Sequence, residues 1–244
     1  DHQSAFLFET NPLGAIEGMF AWVRTAGTES LQPVLDKQFA MLKQTNLSAG
    51  DRLRLYRTFM YTTSEVKGGL SAAQREQLNA AIIGQFPAPP GPNSEALNRE
   101  LALMLGYAGQ PAAIAKILAA IPKTNTNQEL QLHYLYALRM IKQGGTPADK
   151  AQLAEVLGRA AKWRGGAQFI NFVGQFFDSV SDLYATDDEK TLLYEKAPDF
   201  SPLTPTELAE IQARQAAAAA AGRGGRVGGG GRGGGAAAPL AART

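Results

Sequence analysis

His2 and His133 are the only histidines in this 244-residue chain, and it has no cysteine. Imidazole-based metal sites and general-base schemes must therefore draw on two side chains. The absent thiol removes disulfides, thiolate nucleophiles, iron–sulfur clusters, Cys-ligated zinc and the C-x-x-C-H attachment of a c-type haem from this chain. His2 sits near the start of the sequence. His133 lies beside Tyr134 on a strongly apolar stretch and reads as a structural, hydrogen-bonded histidine. Asp178 and Asp182 are spaced i, i+4, and Asp187-Asp188-Glu189 follow, a set that could bind a hard cation. A solvated helix face, then first-turn acids favoured by the next helix's dipole, accounts for them better.

Gly228, Gly230 and Gly233 match the spacing of a dinucleotide fingerprint, but no strand precedes them and the match is a by-product of a glycine run. No G-x-S-x-G, Walker loop or H-E-x-x-H is present. With no convergent acid, base, nucleophile or metal set, we expect a chain that is not an enzyme and holds no cofactor. The remaining candidate is the turn Trp163-Arg164-Gly165-Gly166. As an exposed turn, its Trp and Arg could anchor a protein partner. As a helix C-cap, it would place Gly165 or Gly166 at positive φ and fold Trp163 onto the helix that carries Phe169.

The elements that position these residues read as helices. Ser48 with Asp51 and Ser71 with Gln74 resemble capping boxes, and Thr146-Pro147 and Thr204-Pro205 place a hydroxyl before a first-turn proline. Ile114, Ile117, Leu118 and Ile121 recur at helical spacing, as do Leu153, Val156, Leu157 and Ala160. We expect helices over 11–26, 30–45, 49–65, 72–86, 95–108, 111–121, 127–143, 147–163, 167–184, 187–196 and 205–220. The broadest apolar faces, Leu130 to Ile141 and Phe169 to Tyr184, should form the centre of the C-terminal half. Phe86-Pro87-Ala88-Pro89-Pro90-Gly91-Pro92 cannot be helical and divides two helical groups, giving expected units 1–92, 93–221 and a tail 222–244. The expected fold class is all-α: an array of antiparallel helix pairs, as an α-solenoid or an irregular helical bundle.

Of 24 basic and 22 acidic residues, Arg223, Arg226, Arg232 and Arg243 lie beyond Gly222, after the last acid, Glu210, which leaves residues 1–222 with 20 basic against 22 acidic. A near-neutral body with interspersed charges has no footprint for a phosphate backbone. The Gly/Ala/Arg run after Gly222 offers almost no apolar area against the entropy of ordering, so it is expected to be a disordered linker. Its Arg-Gly-Gly segments lack the aromatics on which bases stack, and RNA binding through them is not expected. No stretch approaches the roughly 20 apolar residues of a membrane span. Asp1-His2-Gln3-Ser4 carries neither an initiator Met nor a basic-then-apolar leader, and we expect an internal piece of a longer polypeptide.

Three stretches carry a resemblance. Leu97-Asn98-Arg99-Glu100-Leu101 through Leu105-Gly106-Tyr107-Ala108-Gly109-Gln110-Pro111 to Ile117-Leu118 resembles a HEAT-like repeat, with a Gly-x-Pro turn between two apolar helices. Gln131-Leu132-His133-Tyr134 through Gly145-Thr146-Pro147, followed by Trp163 to Phe169, is similar to a segment of large bacterial secreted proteins. Phe8-Glu9-Thr10-Asn11-Pro12-Leu13-Gly14-Ala15-Ile16 resembles the start of one of their repeat helices. In that family a propeller related to sugar dehydrogenases precedes HEAT-like repeats and a c-type cytochrome domain often follows. The resemblance, over roughly 8–185, implies a periplasmic or secreted scaffold that meets a protein partner or neighbouring domains. Its rival implication is the helical part of a haem-dependent oxidoreductase whose redox groups lie outside this chain.

Overall fold

A computed structural model of the chain describes residues 2–25, 31–165 and 169–198, together with 206, 209, 210, 212–214 and 216–218. Contacts divide the chain into two units, residues 1–202 and 203–244. The fold is all-α, with no strand among the described residues. Within the second unit, the described positions of the helix expected over 205–220 are helical and exposed. Thr204-Pro205 and everything after residue 218 lie outside the described residues.

The first unit carries ten α-helices among its described residues: α1 (Pro12–Thr25), α2 (Gln32–Leu42), α3 (Ala49–Glu65), α4 (Ala72–Ile82), α5 (Ser94–Ala108), α6 (Ala112–Ala120), α7 (Gln128–Leu138), α8 (Pro147–Ala160), α9 (Phe169–Ser181) and α10 (Asp187–Lys196). Their starts follow local chemistry. Ser48 caps α3 by accepting from the Asp51 N–H. Ser71 with Gln74 and Thr146 with Asp149 close capping boxes on α4 and α8, and Thr186 with Glu189 forms a third on α10 that the sequence reading did not single out. Gly109 ends α5 in the left-handed region at φ 71°, satisfying carbonyls that a helix end leaves unpaired.

The C-terminal ends are where expectation and structure part. α7 stops at Leu138 rather than 143, α8 at Ala160 rather than 163, and α9 at Ser181 rather than 184. In each case the last turn tightens to i→i+3 bonds, as in Ile141 N–H to Leu138 O, Trp163 N–H to Ala160 O and Tyr184 N–H to Ser181 O. That tightening swings Ile141, Trp163 and Tyr184 into the core, where each is almost fully buried. α4 passes into a 3₁₀ turn at Ile83–Gln85 because Pro87 pushes Phe86 into extended backbone, at φ −104° and ψ 131°. The sequence reading also passed over a 3₁₀ helix at His2–Leu7, which lays Phe6 against Trp22 with ring centroids 5.6 Å apart.

Alternate helices pack on one another along one row, α1 on α3, α3 on α5, α5 on α7 and α7 on α9; of the remaining helices, α2 meets α4, and α8 packs on both α6 and α10. The substantial contacts join helices one or two places apart in the chain. α4 and α5 pack closely across the Pro-rich segment at 86–92, so residues on both sides of it belong to the one unit. Leu55, Phe59, Leu101, Leu105, Leu135, Leu157, Phe176 and Val180 run through a single buried cluster. Of the apolar face expected on α9, Phe172 stands out as 42% exposed, because α9 is the end helix of its row.

Candidate functional site

The Trp163–Gly166 turn divides. Trp163 is 2% exposed, and its indole N–H donates to Asn125 Oδ1. The indole therefore closes the core at the end of α8 and is not an exposed anchor. Arg164 is exposed and donates to the carbonyls of Lys162 at 3.2 Å and Trp163 at 3.3 Å. Gly165 is not at positive φ; its role is close approach, since a Cβ there would come within 2.7 Å of Phe169 Cδ2. Gly166 lies outside the described residues.

The side chains weighed for metal or base chemistry are placed as follows. His133 Nε2 donates to the Arg99 carbonyl at 2.8 Å, which joins α7 to α5 and puts the ring proton on Nε2. Asp182 pairs with Lys142 at 3.1 Å, and Glu189 pairs with Lys150 at 2.7 Å while accepting from the Ala185 and Thr186 N–H groups. The Lys150 ammonium, ahead of those backbone donors, lowers the Glu189 pKa. Among the described residues no group of three or more His, Asp or Glu side chains could hold a metal ion.

The structure instead places a seam of aromatic and charged side-chain pairs along the row α1, α3, α5, α7 and α9, at least one at each junction between neighbouring helices of the row. Phe20 on α1 meets Tyr61 of α3 with centroids 5.4 Å apart and ring planes tilted by 51°, and the Arg24 guanidinium lies 5.8 Å from the Phe20 ring centre. Arg57 of α3 pairs with Glu100 of α5 at 2.8 Å. Arg99 of α5 bridges Glu129 of α7 at 2.8 Å and Glu95 of its own helix at 3.0 Å. Tyr136 of α7 meets Phe176 of α9 edge-on at 5.6 Å, and Phe172 lies 4.5 Å from Phe176. Arg139 covers Tyr136 at 4.0 Å and reaches the Phe176 ring at 5.5 Å.

Two hollows open on this seam. One, of about 240 Å³, lies between α1 and α3 against Phe20, Arg54 and Arg57. The other, of about 290 Å³, lies among α5, α7 and α9 against Arg99, His133, Tyr136 and Phe172. Among the described residues, Leu13, Phe20 and Phe172 are three of the four large apolar side chains left exposed, and they belong to α1 and α9, the first and last helices of this row. Aromatic rings held by arginines are the side chains that supply most binding energy at protein interfaces, because they bury large area at little conformational cost. The sequence signal for them was present and unused: Arg24 follows Phe20 at i+4 and Arg139 follows Tyr136 at i+3, the spacings that face each other on a helix.

No family model matches this chain, and neither a curated protein nor a solved structure does.

Proposed function

We propose that the chain is a non-catalytic helical-repeat scaffold whose row α1, α3, α5, α7, α9 presents a protein-binding face. The seam of aromatic and arginine side chains carries this reading, since it crosses every helix of one row and ends at both extremes in exposed rings. Contacts confined to near neighbours along the chain support an α-solenoid of HEAT type, in which stacked helix pairs expose one row as an extended surface. The resemblance of residues 8–185 to the helical segment of large bacterial secreted proteins supports a place between other domains of a secreted or periplasmic polypeptide. Here the face binds and the helices space.

The test is photo-crosslinking in the cells the protein comes from, with the reactive residue placed at Phe20, at Phe172 or at the exposed Ala119 of α6. One protein joined to both Phe20 and Phe172 but not to Ala119, and lost on Arg139→Glu, is the expected result. Equal labelling from Ala119, or none from Phe20 and Phe172, would defeat the reading.

A further inference from the structure

A further cavity lies away from the seam. It holds about 700 Å³ between the ends of α2 and α4, the start of α3 and the Pro-rich segment that leads into α5. That volume falls within the roughly 300–1,000 Å³ typical of small-molecule sites. Its apolar wall is built by Leu42, Leu47, Leu97 and Leu101 with the prolines of 87–92.

The cavity is held open by fixed parts. Gln85 is saturated: its Oε1 accepts from Arg52 and from the Tyr56 hydroxyl, each at 2.6 Å, and its Nε2 donates to the Leu42 and Ala81 carbonyls at 3.0 and 2.8 Å. The Pro-rich wall is pinned where the Ala88 N–H donates to Asn98 Oδ1 at 2.6 Å and where Lys116 Nζ donates to the Ile83 and Phe86 carbonyls at 2.8 and 3.3 Å. Phe86 anchors the same wall by burying its ring edge-on against Tyr134. Such a wall does not have to be ordered when a ligand arrives, which lowers the entropic cost of binding.

Charge on the cavity is of one sign. Lys43 and Arg52 line it, and no carboxylate does. Arg52 is half-buried, yet its guanidinium meets only neutral acceptors, Gln85 Oε1 and, at 3.4 Å, the Thr45 carbonyl. The adjacent Asp51 is already engaged by Ser48 and Arg54. A partly desolvated cation without a counter-ion is costly, and five N–H donors are more than two neutral acceptors use. The N-terminal end of α5 adds to the same field, with Asn93 and Ser94 on the cavity wall and no side-chain cap from Asn93.

We propose that this cavity binds a small amphipathic carboxylate, its head held by Arg52 and Lys43 and its hydrocarbon body laid along the leucine and proline wall. A planar guanidinium suits a carboxylate, and two cations beside so large an apolar wall fit one negative group on an otherwise apolar molecule. The site is separate from the seam, and either proposal can fail without the other.

Octanoate, with 1-octanol as its neutral counterpart, is the probe, titrated calorimetrically into the full chain. Octanoate should bind saturably and more tightly than octanol. Lys43→Gln, at an exposed residue, should weaken octanoate several-fold, and the double change with Arg52→Gln by about tenfold or more, with octanol little altered. Gly84 lines the cavity and has no atom within 4 Å of where its Cβ would stand, so Gly84→Phe should obstruct both probes without unfolding the chain. No saturable octanoate binding, equal affinity for the two probes, or wild-type octanoate affinity in Lys43→Gln and Gly84→Phe would each overturn the proposal. Lys43→Gln and Gly84→Phe decide the matter even if the Arg52 change disturbs the Gln85 cluster.

Discussion

Replacing Gly106 by alanine sets two effects against each other that can be weighed from the structure. Gly106 is buried in the interior of α5, where alanine is favoured over glycine by about 1 kcal/mol of helix propensity. A Cβ at that position, however, would be driven into the carbonyl oxygen of Ala137 on α7 and would lie 2.8 Å from Met140 Cε and 2.9 Å from the Ala137 carbonyl carbon. The methionine can move; the backbone carbonyl cannot without displacing α7. Overpacking of a close contact costs about 1–3 kcal/mol, and a clash with backbone belongs at or above the top of that range. The clash therefore wins, leaving a net loss of about 2 kcal/mol, or about 4–8 °C in melting temperature for a unit of this size. Gly158→Ala should behave alike, because its Cβ would run into the Lys196 carbonyl at the end of α10. Gly174→Ala is the control: beyond the adjoining backbone of α9 itself, nothing lies within 4 Å of that Cβ, so propensity acts alone and the melting temperature should rise by about 2–4 °C. Thermal melts followed by circular dichroism or calorimetry read all three. If Gly106→Ala and Gly174→Ala shift the melting temperature in the same direction, the close approach of α5 to α7 is wrong.

Trp163→Ala should cost about 3–5 kcal/mol through the lost core volume, and Trp163→Phe about 1 kcal/mol for the hydrogen bond to Asn125, both read as urea midpoints; wild-type stability in Trp163→Ala would mean that the indole is not buried in solution. Burial pushes the Tyr134 phenol up to about 12, and burial raises Tyr56 and Tyr184 as well. The folded chain thus keeps a proton that the unfolded chain sheds near pH 10, so this stabilisation is complete below pH 10 and is lost as pH climbs towards 12. Between pH 8 and 11 the urea midpoint should fall less in Tyr134→Phe than in the wild type, and an identical fall would refute the assignment.

The amino-acid sequence by itself determined what depends on residues three or four apart. Ser48 with Asp51, Ser71 with Gln74 and Thr146 with Asp149 start helices because a hydroxyl and a backbone N–H meet within one turn, whatever packs outside. The apolar periodicity of α6 and α8 was equally local, and the all-α fold followed from it. Tertiary structure alone decided which apolar residues are covered. Trp163 and Phe172 are both large and aromatic, yet one is buried where the end of α8 tightens inward and the other is exposed because α9 ends its row. The same holds for the glycines: Gly106 and Gly174 are alike in sequence, and only the distance to the neighbouring helix separates a required contact from an idle one. The seam and the cation-lined cavity join side chains dozens of residues apart, such as Arg57 with Glu100 and Arg52 with Gln85. Pairings of that kind arise where separate helices pack together, a geometry set by contacts between residues far apart in sequence and therefore invisible to spacing along the chain.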